Sequence, residues 1–174
     1  MKGNPMKTYV AFLRGINVGG NTVLPMARLK LMCDDMGLRN VHTYIQSGNV
    51  IFESELSEEK LVKRFESSLQ AREKKHIPVI IRTGLELGSV IARNPFPDAK
   101  PAQVGVMFFA KPVPRGLMGG VAVAGPEEVK ISGREIYIHF PNGMGHSKLK
   151  LPPMEQQGTV RNINTISKLA ALTA

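Results

Sequence analysis

Tryptophan is absent from this 174-residue chain and cysteine occurs once, as Cys33. A single thiol excludes an intramolecular disulfide and any multi-cysteine metal site. Long apolar runs are missing too: the longest, such as Val106–Ala110 and Val121–Ala124, are far too short to span a bilayer. Residues 1–7 contain no apolar stretch of the kind that forms a signal-peptide core, so the expected setting is the cytoplasm, away from membranes. The four histidines, His42, His76, His139 and His146, form neither H-E-x-x-H nor any tight ligand spacing, and no metal is expected. No Gly-Lys-Ser/Thr triplet follows the glycines, which excludes a Walker A loop.

What is present is ordinary for a folded chain, with 43% hydrophobic and 21% charged residues. A chain of this length buries roughly 70% of its unfolded surface. The unusual figure is a net charge of +9. Up to Leu87 there are 13 Lys/Arg against nine Asp/Glu, and beyond it ten against five. The excess is dispersed and forms no basic arm. Such a field draws anionic ligands and favours weak nucleic-acid binding, and it also serves solubility.

The most informative stretch runs from Tyr9 to Asn21. A short apolar run breaks abruptly into Arg14, Gly15, Asn17, Gly19, Gly20 and Asn21, which reads as a buried strand delivering a donor-rich loop. This run, with Thr43–Phe52, Tyr137–Leu149 and Gly158–Leu169, resembles the signature of a bacterial family known only as domain of unknown function 1697. The resemblance covers Met6 to about Leu172. It implies a fold and no activity.

The residue pattern gives strand Tyr9–Leu13, helix Pro25–Met36 closed by Gly37, and a hairpin of Val41–Gln46 with Val50–Glu53 around Ser47-Gly48-Asn49. Ser57 opens a long helix, with Glu58 and Glu59 in its first turn and Lys74 and Lys75 in its last. Ile77–Arg82 is the next strand. Strand-helix-strand-strand-helix-strand is the ferredoxin-like order. Thr83-Gly-Leu-Glu86 is a capping box for a short helix that Pro95 should end near Asn94.

Beyond a connecting segment at 95–101 the pattern recurs. Gln103–Ala110 is a strand, Val129–Ile131 pairs with Glu135–Phe140, and a last helix spans Asn162–Leu172. The likeness of Ile45–Ile51 to Lys130–Ile136 points to internal duplication. The expected fold is α+β, with a ferredoxin-like half at 6–94, a second, shortened half at 102–174 ending in a helix, and residues 1–5 as a disordered extension.

Two motifs are decoys. Gly15–Gly20 lacks G-x-G-x-x-G spacing and is separated from the helix, so a dinucleotide fold is not expected. Ser57-Glu-Glu-Lys60 matches S-x-x-K, but Ser57 is accounted for as a helix cap. Cys33 falls on an apolar helix face beside Leu29 and Met36 and reads as core.

The expected function is a binding module for a small anionic ligand, a nucleotide or phosphorylated metabolite, in a polar glycine-rich cleft. Its residues would be Arg14, Gly15, Asn17, Gly19, Gly20, Asn21, Ser47, Asn49, Asn142, Ser147, Lys148, Arg161 and Asn162. Arg161 would stand beside the start of the last helix, which Asn162 would cap. Two alternatives stay open: a small enzyme acting on an anionic metabolite through Arg14, Lys148, Arg161 and His146, and a non-specific RNA-binding protein. No cofactor, catalytic residue or oligomeric state is readable.

Overall fold

The structure is a computed structural model, and it describes residues 3–17, 22–45, 48–120, 123, 125–151 and 158–174. The chain divides into two compact units, Met1–Glu86 with Ala171–Ala174, and Leu87–Ala170.

The first unit runs β1 (Lys7–Leu13), α1 (Met26–Asp35), β2 (Arg39–Tyr44), β3 (Asn49–Ser54), α2 (Glu58–Glu73) and β4 (Val79–Thr83). Its antiparallel sheet has the order β2-β3-β1-β4, with Val10 opposite both Ile51 and Arg82. All of β1 beyond its first two residues is buried, as expected of a central strand. On the face that Tyr9, Ala11 and Leu13 share, α1 contributes Leu29, Met32 and Cys33, and α2 contributes Leu61, Phe65 and Leu69 to one core. Phe52 links the layers, its ring 5.7 Å from Tyr9 and 5.3 Å from Phe65.

Local chemistry sets the helix ends. Ser57 accepts from the Lys60 N–H at 3.4 Å, with Glu58 and Glu59 in the first turn of α2. The far end differs from expectation. Lys74 is not in the last turn but caps it at φ 58, and Arg72 is the basic residue of that turn. The reason is that a helix commonly closes on one left-handed residue, a position with no glycine here. Gly37 does the same for α1 at φ 76. The capping box forms around α3 (Gly84–Ala92): Thr83 N–H donates to Glu86 at 2.7 Å, and Glu86 N–H to the Thr83 hydroxyl at 3.2 Å. Thr173 passes so close to Gly84 that a Cβ there would lie 2.5 Å from its Oγ1.

The second unit contains β5 (Val104–Phe108), β6 (Glu128–Ser132), β7 (Glu135–His139) and β8 (Thr159–Asn162), in the order β6-β7-β5-β8. This repeats the first sheet's arrangement, and the molecule is α+β with two ferredoxin-like halves and a C-terminal helix, α4 (Ile163–Leu172). Where α1 and α2 stand in the first half, the second has 3-10 turns at Arg115–Gly120 and Met144–His146. The core face here is Met107, Ile136, Ile138 and Phe140, with Leu117, Met144 and Leu149 packed over it. β8 is an addition to the sequence reading, which placed no strand before the last helix.

Candidate polar loop at the end of the first sheet

Three chain segments meet where β1 ends. The Leu13 N–H donates to the Gly48 carbonyl at 2.9 Å, and the next N–H, from Arg14, donates to Pro78 at 3.0 Å. The strand therefore runs on between the β2–β3 turn and the approach to β4. Lys75 closes a third side, its Nζ donating to the Thr22 hydroxyl at 2.8 Å.

The loop is shaped by two left-handed residues, Gly15 at φ 69 and Asn17 at φ 54. Open space surrounds the position of a Gly15 Cβ, so glycine serves the backbone angle there and not a close approach. Asn17 acts as a rung. Its N–H donates to Thr22 at 2.7 Å, its side-chain amide donates to Leu24 O at 2.9 Å, and its Oδ1 accepts the Leu24 N–H at 2.9 Å. The side chain is thus committed to holding the loop. Asn49 also holds the turn: fully buried opposite Phe12, it donates to the Tyr44 carbonyl at 3.1 Å. Arg14 is half-buried and Gly15 exposed. Gly19, Gly20, Asn21 and Ser47 lie outside the described residues.

The sequence around this loop is poor in acids. No Asp or Glu occurs in 14–33, 42–52 or 74–81, which together contain Arg14, Arg28, Lys30, Lys74 and Lys75, Lys30 being paired with Asp34 at 3.6 Å. Two carboxylates of α2 reach these segments: Glu66 accepts the Val79 N–H at 3.1 Å, and Glu73 pairs with Arg28 at 2.9 Å. The loop then feeds α1, which has no side-chain cap and no acid in its first turn. Its leading N–H groups carry the positive end of the helix dipole.

The remaining sequence-selected residues belong to the second unit. Asn162 caps α4, accepting the Thr165 N–H at 2.9 Å. Ser147 donates to Glu127 at 2.8 Å and accepts the Leu149 N–H at 3.1 Å, so it pins its own loop. Asn142 and Lys148 are exposed. Arg161 lies in β8, where it pairs with Val106, and directly precedes Asn162, the cap of α4. It is 8% exposed and donates to the Thr159 hydroxyl at 2.7 Å and the Val160 carbonyl at 2.9 Å. Burial pulls its pKa down to about 10, which leaves it cationic at neutral pH.

Arg82 holds the matching place in the first sheet, on the last strand opposite Val10, 1% exposed and donating to the Ile81 carbonyl at 3.0 Å. On the same face of the second sheet as Arg161, buried Tyr137 donates to Val90 O at 2.6 Å. Burial pushes the Tyr137 phenol up to about 12, with Arg93 opposing and Glu135 adding to the shift. Glu135 is itself paired with Arg93 at 3.3 Å. Arg93 and Glu135 carry no motif in the sequence, and an arginine or tyrosine inside an apolar strand has no pattern that marks its burial.

His42, His76 and His146 are exposed, while His139 stands 4.0 Å from Glu128 and 5.7 Å from the Phe96 ring. Among the described residues no three His, Cys, Asp or Glu side chains are grouped to hold a metal. Cys33 is buried, and desolvation followed by the charge of Asp34 pushes its pKa up to about 12. Among the described residues no helix is long and apolar enough to cross a membrane.

The family model described as "Protein of unknown function (DUF1697)" matches residues 6–137. Among solved structures, the conserved bacterial protein SP0830 from Streptococcus pneumoniae is similar, with a TM-score of 0.81 and 22% identity over 98% of this chain and 100% of that one. At that identity the likeness concerns the fold. No curated protein matches.

Proposed function

The chain belongs to the DUF1697 family of proteins of unknown function, and we propose that its first unit is a binding module for a small anionic ligand. The ligand class is a nucleotide or phosphorylated metabolite, held beside Arg14 at the end of β1. One observation carries the reading: three hydrogen-bonded segments converge there, and none of them contains a carboxylate. The uncapped start of α1 adds oriented N–H donors to the same end of the sheet. Arg14 is the principal contact, while Asn17 and Asn49 keep the loop in shape. In this reading Arg161 and Arg82 are parts of the scaffold, since each donates to a carbonyl of its own strand.

We also read the halves as an internal duplication, supported by their common strand order and by the equivalent placing of Arg82 and Arg161. The single buried thiol accords with a cytoplasmic protein.

The test is a calorimetric titration of the full chain with nucleoside mono-, di- and triphosphates, sugar phosphates and inorganic phosphate. Replacing Arg14→Gln should weaken the best ligand about 10- to 100-fold, the worth of one or two charge-assisted hydrogen bonds. Exposed Lys148→Gln is the control for a general loss of charge. A generic oligonucleotide should bind weakly at low salt, lose that binding near 0.15 M, and be insensitive to Arg14→Gln. Tight, salt-resistant oligonucleotide binding would replace this reading with the nucleic-acid one. Failure of every anion at millimolar concentration would remove it.

A further inference from the structure

We propose that the outer edge of β6 accepts an extended acidic strand from a partner protein. β6 ends the second sheet, with β7 along its inner side. A groove of ≈ 720 Å³ lies against it, touching residues 129–133 in succession and walled opposite by Pro112, Val113 and Arg115. Successive side chains of a strand point to opposite faces. A groove that meets five in a row therefore reaches the strand's backbone and is not confined to the side chains of one face.

The register shows which backbone groups are available. Gly133, at φ 60, and Arg134 form a two-residue turn, with Ser132 opposite Glu135 and Lys130 opposite Tyr137. In such a hairpin those two pairs exchange hydrogen bonds, so Val129 and Ile131 direct their N–H and C=O outward. Over 112–114 the facing wall offers no further backbone N–H. Pro112 and Pro114 have no N–H, and that of Val113 is donated to Gly133 O at 2.9 Å.

Side-chain chemistry selects the occupant. Val129 and Ile131 are half-buried and packed on the core of the second sheet. Lys130, on the other face, and Arg115 are exposed. No carboxylate among the described residues lines the groove. An added strand would thus set apolar side chains over Val129 and Ile131 and a carboxylate beside Lys130. This is strand addition at a sheet edge, with main-chain bonds giving affinity and alternate side chains giving specificity.

The test uses the full chain and three fluorescein-labelled peptides: alternating Val-Glu, alternating Val-Lys, and Val-Glu methylated at every second backbone nitrogen. Anisotropy should rise saturably with the first alone. Lys130→Glu should weaken the Val-Glu peptide about 2- to 30-fold, since one cross-strand pair turns from attractive to repulsive. The same variant should now accept Val-Lys. Equal binding of the methylated peptide would overturn strand addition, and no binding of Val-Glu at millimolar concentration would overturn the site. A concentration-dependent dimer that the peptide dissolves would show a second copy to be the occupant, which also overturns the proposal.

Discussion

Replacing Gly48 with alanine should damage the junction between the two polar signatures more than any other single methyl in the first unit. The residue sits at φ +81, where an added Cβ would lie 2.7 Å from Ile16 Cδ1, 2.9 Å from Ile16 Cγ1 and 3.1 Å from Leu13 Cβ. Neither neighbour has room to retreat, each being 1% exposed. Two costs combine. The left-handed conformation costs a non-glycine residue about 1–2 kcal/mol. Forcing a methyl into a filled core costs about 1–3 kcal/mol more. The expected destabilisation is therefore about 2–5 kcal/mol, read from urea unfolding followed by far-ultraviolet circular dichroism. The steric share can be isolated by repeating the substitution in an Ile16→Ala background, where it should cost about 1 kcal/mol or more less. Gly88→Ala is the matched control. That glycine is exposed within α3 with nothing near its would-be Cβ, so alanine should stabilise by about 0.5–1 kcal/mol. A Gly48→Ala protein within 0.5 kcal/mol of the parent would refute the reasoning.

Two further outcomes follow from buried groups. Cys33→Ala should cost roughly 1–2 kcal/mol. A bulky thiol reagent at pH 8 should label Cys33 only on unfolding, because its pKa stands at about 12; rapid labelling of the native chain would contradict its burial. The Tyr137 phenol is raised from 10.0 to about 12, so its folded form prefers to keep the proton. Its stabilisation is complete below pH 10 and is lost as pH climbs through 12. Tyr137→Phe should flatten that alkaline loss, checked by unfolding midpoints between pH 9 and 12.

The first half was legible because each of its elements carries a local signal. Alternation and helical spacing located β1, α1 and α2, and Ser57 and the Thr83–Glu86 box fixed two helix starts through bonds only a few residues long. The second half was harder. Its strand β8 is four residues long, too short for a period to register, and its order in the sheet depends on pairing with β5 across more than 50 residues. Lys74 was misplaced because a left-handed cap on lysine has no sequence mark. At the polar loop the residue types were evident, but their roles were not. Asn17 looked like a ligand contact, and only the path of Leu24 back to its amide reveals it as a rung. The burial of Arg82 has no mark in the sequence, because an arginine that ends the apolar run Val79–Ile81 reads as the exposed end of a strand.

The closeness of Thr173 to Gly84 has a bearing on how the molecule is made. Residues 171–174 belong to the first unit, yet the ribosome delivers them only after all of Leu87–Ala170. At about 5–20 residues per second, those 84 intervening residues take about 4–17 s. The first sheet and its two helices are complete by Thr83 and can pack as soon as they emerge. The start of α3 waits longer, its Gly84 surface open until Thr173 arrives. During that interval the start of α3 lacks the contact that Thr173 later makes.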